Sequence, residues 1–91
     1  MKIVSSAIKF QIIGSEYWHI MCGLRHADIF EIMFNHKIKY DKNTAVQGFL
    51  TDTNQFLDRK EAVTVAWNAL QISDPSIQIL YSEDIWEEKI I

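Results

Sequence analysis

The stretch Gln47-Gly48-Phe49-Leu50-Thr51-Asp52-Thr53-Asn54-Gln55-Phe56-Leu57-Asp58-Arg59-Lys60-Glu61-Ala62 passes from an extended segment through a polar turn into a helix start. Ala45 to Leu50 reads as a strand, and Thr51 to Asn54 carries the side chains of a turn. Asp58 stands three residues before Glu61, the spacing of a capping box. In that arrangement the Asp accepts from a first-turn N–H while the Glu reaches back to the cap. Ala62, Val65, Ala66 and Ala69 then give a stripe of small side chains suited to close packing on a sheet.

Working outward toward the N-terminus, Ile8, Phe10 and Ile12 alternate with Lys9 and Gln11, the pattern of a half-buried strand. Gly14-Ser15 turns the chain, and residues 16–22 read as a second strand, so the two form an antiparallel hairpin. From Arg25 the period changes: Ile29, Phe30, Ile32, Met33 and Phe34 predict a helix ending between Asn35 and Lys37. Residues 38–44 read as a polar connection, with Ile38 and Tyr40 able to add a short strand. Toward the C-terminus, Ser73-Asp74-Pro75 ends the second helical element. Ile77, Ile79 and Tyr81 alternate with Gln78 and Leu80 in a last strand, before an acidic tail from Ser82 to Lys89. The order β-β-α-β-(β)-α-β predicts an α+β fold, a mostly antiparallel sheet with two helices packed on it, as a single domain over 1–91.

Ninety-one residues at 48% hydrophobic, with three Trp, three Tyr and five Phe, carry more large side chains than so short a chain buries easily. The surplus predicts a homo-oligomer, a dimer or larger. A net charge of −3 without a basic run argues against general nucleic-acid binding, which needs a cationic stripe to displace counterions. A small nucleotide in a local pocket stays open. The single Cys22 forbids an intramolecular disulfide, and no segment approaches a signal peptide or a membrane span, so the expectation is a cytoplasmic protein.

His19, Cys22 and His26 lie close in sequence, but positions 19 and 22 of one strand point to opposite faces and nothing completes a tetrahedral set. No metal and no cofactor are expected. Cys22 sits among apolar neighbours, no serine lies in a nucleophile elbow, and three glycines supply no phosphate-binding fingerprint. The adjacent acids Glu83-Asp84 and Glu87-Glu88 read as a solvated edge, so the protein is not expected to be an enzyme. The arginines carry more information. Arg25 stands where the second strand meets the first helix, and Arg59 follows the Asp58 cap of the second. Helix N-termini favour anions, and a guanidinium matches phosphate oxygens, so each arginine sits where a phosphate could be held. The competing reading pairs Arg59 with a nearby acid, or with the C-terminal acidic stretch of a neighbouring subunit. Tyr17, Trp18, Phe49 and Phe56 flank the arginines in sequence, either as core or as surfaces on which a base stacks.

Three blocks resemble one family of small phage proteins: Gly23-Leu24-Arg25-His26-Ala27-Asp28-Ile29; Gln47 to Thr51 with Phe56 to Ala62; and Leu80-Tyr81-Ser82-Glu83-Asp84-Ile85-Trp86. The pattern is similar to phage anti-defence sponges that counter Thoeris immunity by sequestering a cyclised ADP-ribose signal. The resemblance implies an oligomer that binds a small nucleotide without hydrolysis, in pockets shared between subunits. It points to Arg25, His26, Phe49, Thr51 and Arg59, with Phe49 stacking a base, and to Ser82, Glu83 and Asp84 as acceptors for ribose or adenine groups. The chain departs from that pattern in being shorter and in having Asn54-Gln55 where a glycine would suit the turn. Inhibition of a host protein by direct contact, through the aromatic surplus and the acidic tail, and a small nucleotide-processing enzyme are the alternative functions.

Overall fold

The computed structural model describes residues 1–86, so Glu87, Glu88 and Lys89 of the expected acidic tail lie outside the described residues. Four strands, β1 (Ile3–Ile12), β2 (Trp18–Gly23), β3 (Tyr40–Thr51) and β4 (Phe56–Asp58), form one sheet in the order β2-β1-β3-β4, each pair antiparallel. Helix α1 (His26–Asn35) follows β2, α2 (Glu61–Asn68) follows β4, and a single turn, α3 (Ser82–Ile85), lies near the end. The α+β class with helices packed on an antiparallel sheet is as the sequence predicts.

Register sorts the side chains. Ile8 lies opposite Met21 on one side and Gln47 on the other, and Phe49 stands between Ser6 and Leu57. These positions share the helix-covered face. Beneath α1, Ile8, Phe10, Ile29 and Met33 form one buried cluster. Beneath α2 and the last segment, Ile3, Phe49, Leu57, Ala62, Ala66, Ile72 and Leu80 form another. Ile3 reaches that face because β1 carries one extra residue, Val4, between the Ile3–Thr51 and Ser5–Leu50 pairs; a single-residue bulge reverses the side-chain alternation. Gln71 fastens the chain after α2 to the same strand, its amide donating to the Ile3 carbonyl and accepting from the Ile3 N–H, both at 2.8 Å.

The start of α2 is held as its sequence implies. Asp58 Oδ1 accepts from the N–H groups of Lys60 at 2.9 Å and Glu61 at 2.8 Å, and Glu61 Oε1 accepts from the Asp58 N–H at 3.0 Å. The turn before β4 needs no glycine: Asn54 takes the left-handed position at φ 62°, and Thr51 Oγ1 accepts from the Gln55 N–H at 3.1 Å. Asn is among the residues that tolerate this region.

The last strand is corrected. Residues 77–81 form no strand; Leu80 is buried while Ile79 and Tyr81 are exposed, the opposite parity to the sequence reading. Only the Leu80 N–H reaches toward β4, donating to the Arg59 carbonyl at 2.9 Å. With β4 three residues long, the edge offers little to pair with, and Leu80 gains more by entering the cluster around Phe49 and Leu57. β3 is also longer than expected, because residues 40–41 pair with Ile12 and Gln11 and the ladder resumes at Val46 after a register irregularity.

Two positions make the backbone constraints measurable. Gly48 lies under the Phe56 ring, and a Cβ there would stand 2.1 Å from the Leu57 carbonyl oxygen and 2.6 Å from Phe56 Cζ. Gly48→Ala should lower unfolding free energy by about 2–3 kcal/mol, the upper range for overpacking. Leu70, by contrast, ends α2 in the left-handed region at φ 60° with 90% of its surface exposed. Leu70→Gly should stabilise by about 0.5–1 kcal/mol, the steric relief less the added entropy of the unfolded chain. Urea denaturation of both variants checks the opposite signs.

Candidate functional site

The three sequence blocks meet at His26. Its position, the first residue of α1, places the imidazole against the sheet, where it is 9% exposed. Nε2 lies 2.7 Å from the Gly48 carbonyl oxygen, which can only accept, so this nitrogen carries the hydrogen. The neutral ring then accepts at Nδ1 from the Ser82 hydroxyl, 2.9 Å away. Ser6 Oγ lies 2.7 Å from Ser82 Oγ and 2.9 Å from the Leu24 carbonyl oxygen, sharing its one hydrogen between them. One buried network thus joins β1, α1, β3 and α3. Phe49 stands edge-on to the imidazole at 5.1 Å and tilted against Trp86 at 6.5 Å.

The other motif side chains serve the same segment. Arg25 Nη2 donates to the Trp86 carbonyl oxygen at 3.1 Å, and Nη1 lies 3.7 Å from Glu83 Oε1. Asp84 Oδ2 accepts from the Tyr81 N–H at 2.8 Å at the start of α3. Arg59 stacks on Tyr81, its Cζ 5.4 Å from the ring centroid. The structure therefore gathers Arg25, His26, Phe49, Ser82 and Glu83, with Asp84 and Arg59 at the margin, and leaves Thr51 buried at the β3–β4 turn. Phe49 is fully buried, with no face open to a base, and Ser82 is likewise enclosed.

Arg59 differs from Arg25. It makes no ion pair among the described residues, and with Lys60, Val46, Gln47 and Ile79 it lines an open cleft of about 380 Å³. Val46 belongs at once to this cleft and to the sheet face that no helix covers. On that face Lys9 Nζ stands 5.0 Å from the Trp18 ring and 5.9 Å from the Phe56 ring. Trp18 is 50% exposed, beside the exposed Ile20 and Val46. Lys9 and Lys60 escaped the sequence reading; the parity that places Lys9 opposite Ile8 and Phe10 was the available signal, but which face stays bare depends on where the helices land. A separate, larger groove of about 630 Å³ lies at the C-terminal end of α1 and contains none of the motif residues.

The molecule is thus a small α+β protein whose motif residues close on a polar centre and leave a cationic, aromatic surface beside it. Over residues 2–86 it matches the family model described as phage T4 y16D protein, and the chain belongs to that phage protein family. No curated protein and no solved structure matches it. No helix among the described residues is long and apolar enough to cross a membrane.

Burial is the largest influence on His26 and lowers its proton affinity; the hydrogen bond to the Gly48 carbonyl raises it by less, the Arg59 charge lowers it further, and Glu83 opposes that, leaving a net lowering. The unfolded chain therefore takes up this proton first as pH falls. The stabilisation is complete above the ordinary imidazole value near 6.5 and is lost as pH drops below it. Asp74, held below its ordinary value of 3.8 by the Ser76 hydroxyl and amide, titrates outside that window. Urea midpoints taken from about pH 8 to about pH 5 should decline, and His26→Gln should flatten the decline; an unchanged slope in the variant would assign the acid sensitivity to another group.

Proposed function

We propose that the protein binds a phosphate-bearing, nucleotide-type ligand stoichiometrically and without hydrolysis, and in this way withdraws a host immune signal of the cyclised ADP-ribose kind. The observation that carries this reading is the Arg59–Lys60 cleft opening onto the face where Lys9 lies between Trp18 and Phe56. A guanidinium without an ion pair matches phosphate oxygens in a planar fork, and an ammonium adds a second positive charge. Indole and phenyl faces beside them take a base by stacking, typically worth about 1–3 kcal/mol. The Asp58 carboxylate in the cleft opposes an anion less than its charge suggests, because the Lys60 and Glu61 amides already bind one of its oxygens.

In this reading the stacking role passes from Phe49 to Trp18 or Phe56. Arg25, His26, Ser82, Glu83 and Asp84 hold the frame, and Arg59 keeps the role its motif position implies. The reading includes the expected homo-oligomer, whose contact would draw on the same exposed aromatics. Direct contact with a host protein is the second reading, favoured by the breadth of bare sheet around Trp18, Ile20 and Val46.

A thermal-shift series against ADP-ribose isomers and cyclic nucleotides, with oligomer mass measured alongside, separates the two. Capture predicts a raised melting temperature and intact ligand recovered after heat denaturation. Recovery of an altered ligand at substoichiometric protein would sink it in favour of an enzyme. One host protein pulled down in fixed stoichiometry, with no ligand effect on melting, would support direct contact. Arg59→Ala should leave the fold intact, since Asp58 and Glu61 hold the helix start. It should cost about 1.5–3 kcal/mol of ligand affinity, as for one charged hydrogen bond.

A further inference from the structure

The groove at the end of α1 shares no residue with the cleft at Arg59. Its floor is Phe30, Met33, Ile38 and Tyr40, and Lys37, Lys39 and Lys42 edge it. Phe34 stands beside them with 82% of its surface in water. Three lysines fall within six residues of a chain whose net charge is −3, and among the described residues no carboxylate lines the groove. The nearest acid in sequence, Asp41, is turned to its own loop, accepting from the Asn43 N–H at 3.0 Å.

Lys37 is also held against its preference. It occupies the left-handed position at φ 54° where α1 ends, with the Ile38 N–H closing the turn on the Met33 carbonyl at 3.0 Å. Glycine is the residue that suits this geometry. A lysine there accepts strain and in return places an ammonium at the groove.

We propose that this groove docks an acidic, amphipathic segment of a partner protein, its apolar side chains on Phe30, Phe34, Ile38 and Tyr40 and its carboxylates on the three lysines. The charge pattern selects an acid, and the apolar floor gives a bare phosphate nothing to hold. The groove is partly open to solvent, so an acyl chain laid in it would stay partly wetted. A peptide helix instead covers such a groove with its own polar back.

The test is fluorescence anisotropy of the full chain with a labelled synthetic peptide bearing Leu and Phe on one helical face and Glu flanking them. The same peptide with Lys for every Glu is the control. The acidic peptide should bind saturably and weaken as salt is added. The pair Lys39→Glu and Lys42→Glu should abolish binding, and Phe34→Ala should weaken it at least about tenfold, as for loss of an interface anchor. Lys37→Gly should raise the melting temperature while lowering affinity, a combination that a purely structural lysine would not give. Arg59→Ala should leave peptide binding unchanged, so failure here and failure of ligand capture are distinguishable. Equal binding of the lysine peptide, no binding of either, or saturable uptake of a fluorescent fatty acid in place of the peptide would overturn the proposal.

Discussion

The hydrogen bonds around His26 are the constraint on which the rest of the architecture rests. A buried imidazole has two nitrogens to satisfy, and here the Gly48 carbonyl and the Ser82 hydroxyl satisfy them. Each such bond contributes about 1 kcal/mol net, but losing one partner exposes the remaining group to a desolvation penalty of about 1–3 kcal/mol. That asymmetry makes the network all-or-none. It also explains the path of the last segment: with Ser82 fixed, Leu80 falls over Phe49, and Trp86 arrives within reach of Arg25.

The two arginines divide two tasks that looked alike in the sequence. Arg25 holds the end of the described chain through the Trp86 carbonyl and a loose pair with Glu83, whose side chain is 65% exposed. The pair is worth little by itself in water; the charge-assisted hydrogen bond to a fixed carbonyl does more to position the segment. Arg59 meets the same segment through the Tyr81 ring. Stacking uses the face of a guanidinium and leaves its five N–H donors available. The difference between a structural and a functional arginine therefore lies in which part of the group the protein has consumed.

What could be read from the sequence was what local chemistry determines. The alternation at Ile8, Phe10 and Ile12 and the Asp58–Glu61 box need only neighbours in sequence, and both appear as read. The convergence of the Arg25-His26 block with the Ser82-Glu83 block was visible only as a list of motif residues, because 56 positions separate His26 from Ser82. Residues 77–81 misled for a physical reason: alternating Ile, Ile and Tyr fits a strand, yet a strand requires an edge with free backbone groups, and β4 is too short to provide one. The Val4 bulge was equally hidden, since its purpose is to bring Ile3 onto the face of Phe49 on another strand.

The chain is acidic overall, yet the groove at α1 and the cleft at Arg59 are edged with lysine or arginine, while a third open hollow is lined by Asp74, Glu83 and Asp84. The carboxylates account for this. Asp41, Asp58, Glu61, Asp74 and Asp84 each accept from a backbone N–H within their own turn or cap, and Asp52 accepts from the Lys2 N–H across the sheet end. Acids suit this work because an ionised oxygen binds an unpaired amide more strongly than a hydroxyl does. A turn-rich fold of this size therefore spends acids on its own backbone. The lysines and Arg59 have no such use at helix starts and tight turns, and their side chains make no hydrogen bond or ion pair among the described residues, whereas Arg25 donates to the Trp86 carbonyl. Net charge is then a poor guide to what such a molecule attracts: the acids set the sum, while the bases set the field where a ligand or a peptide would arrive.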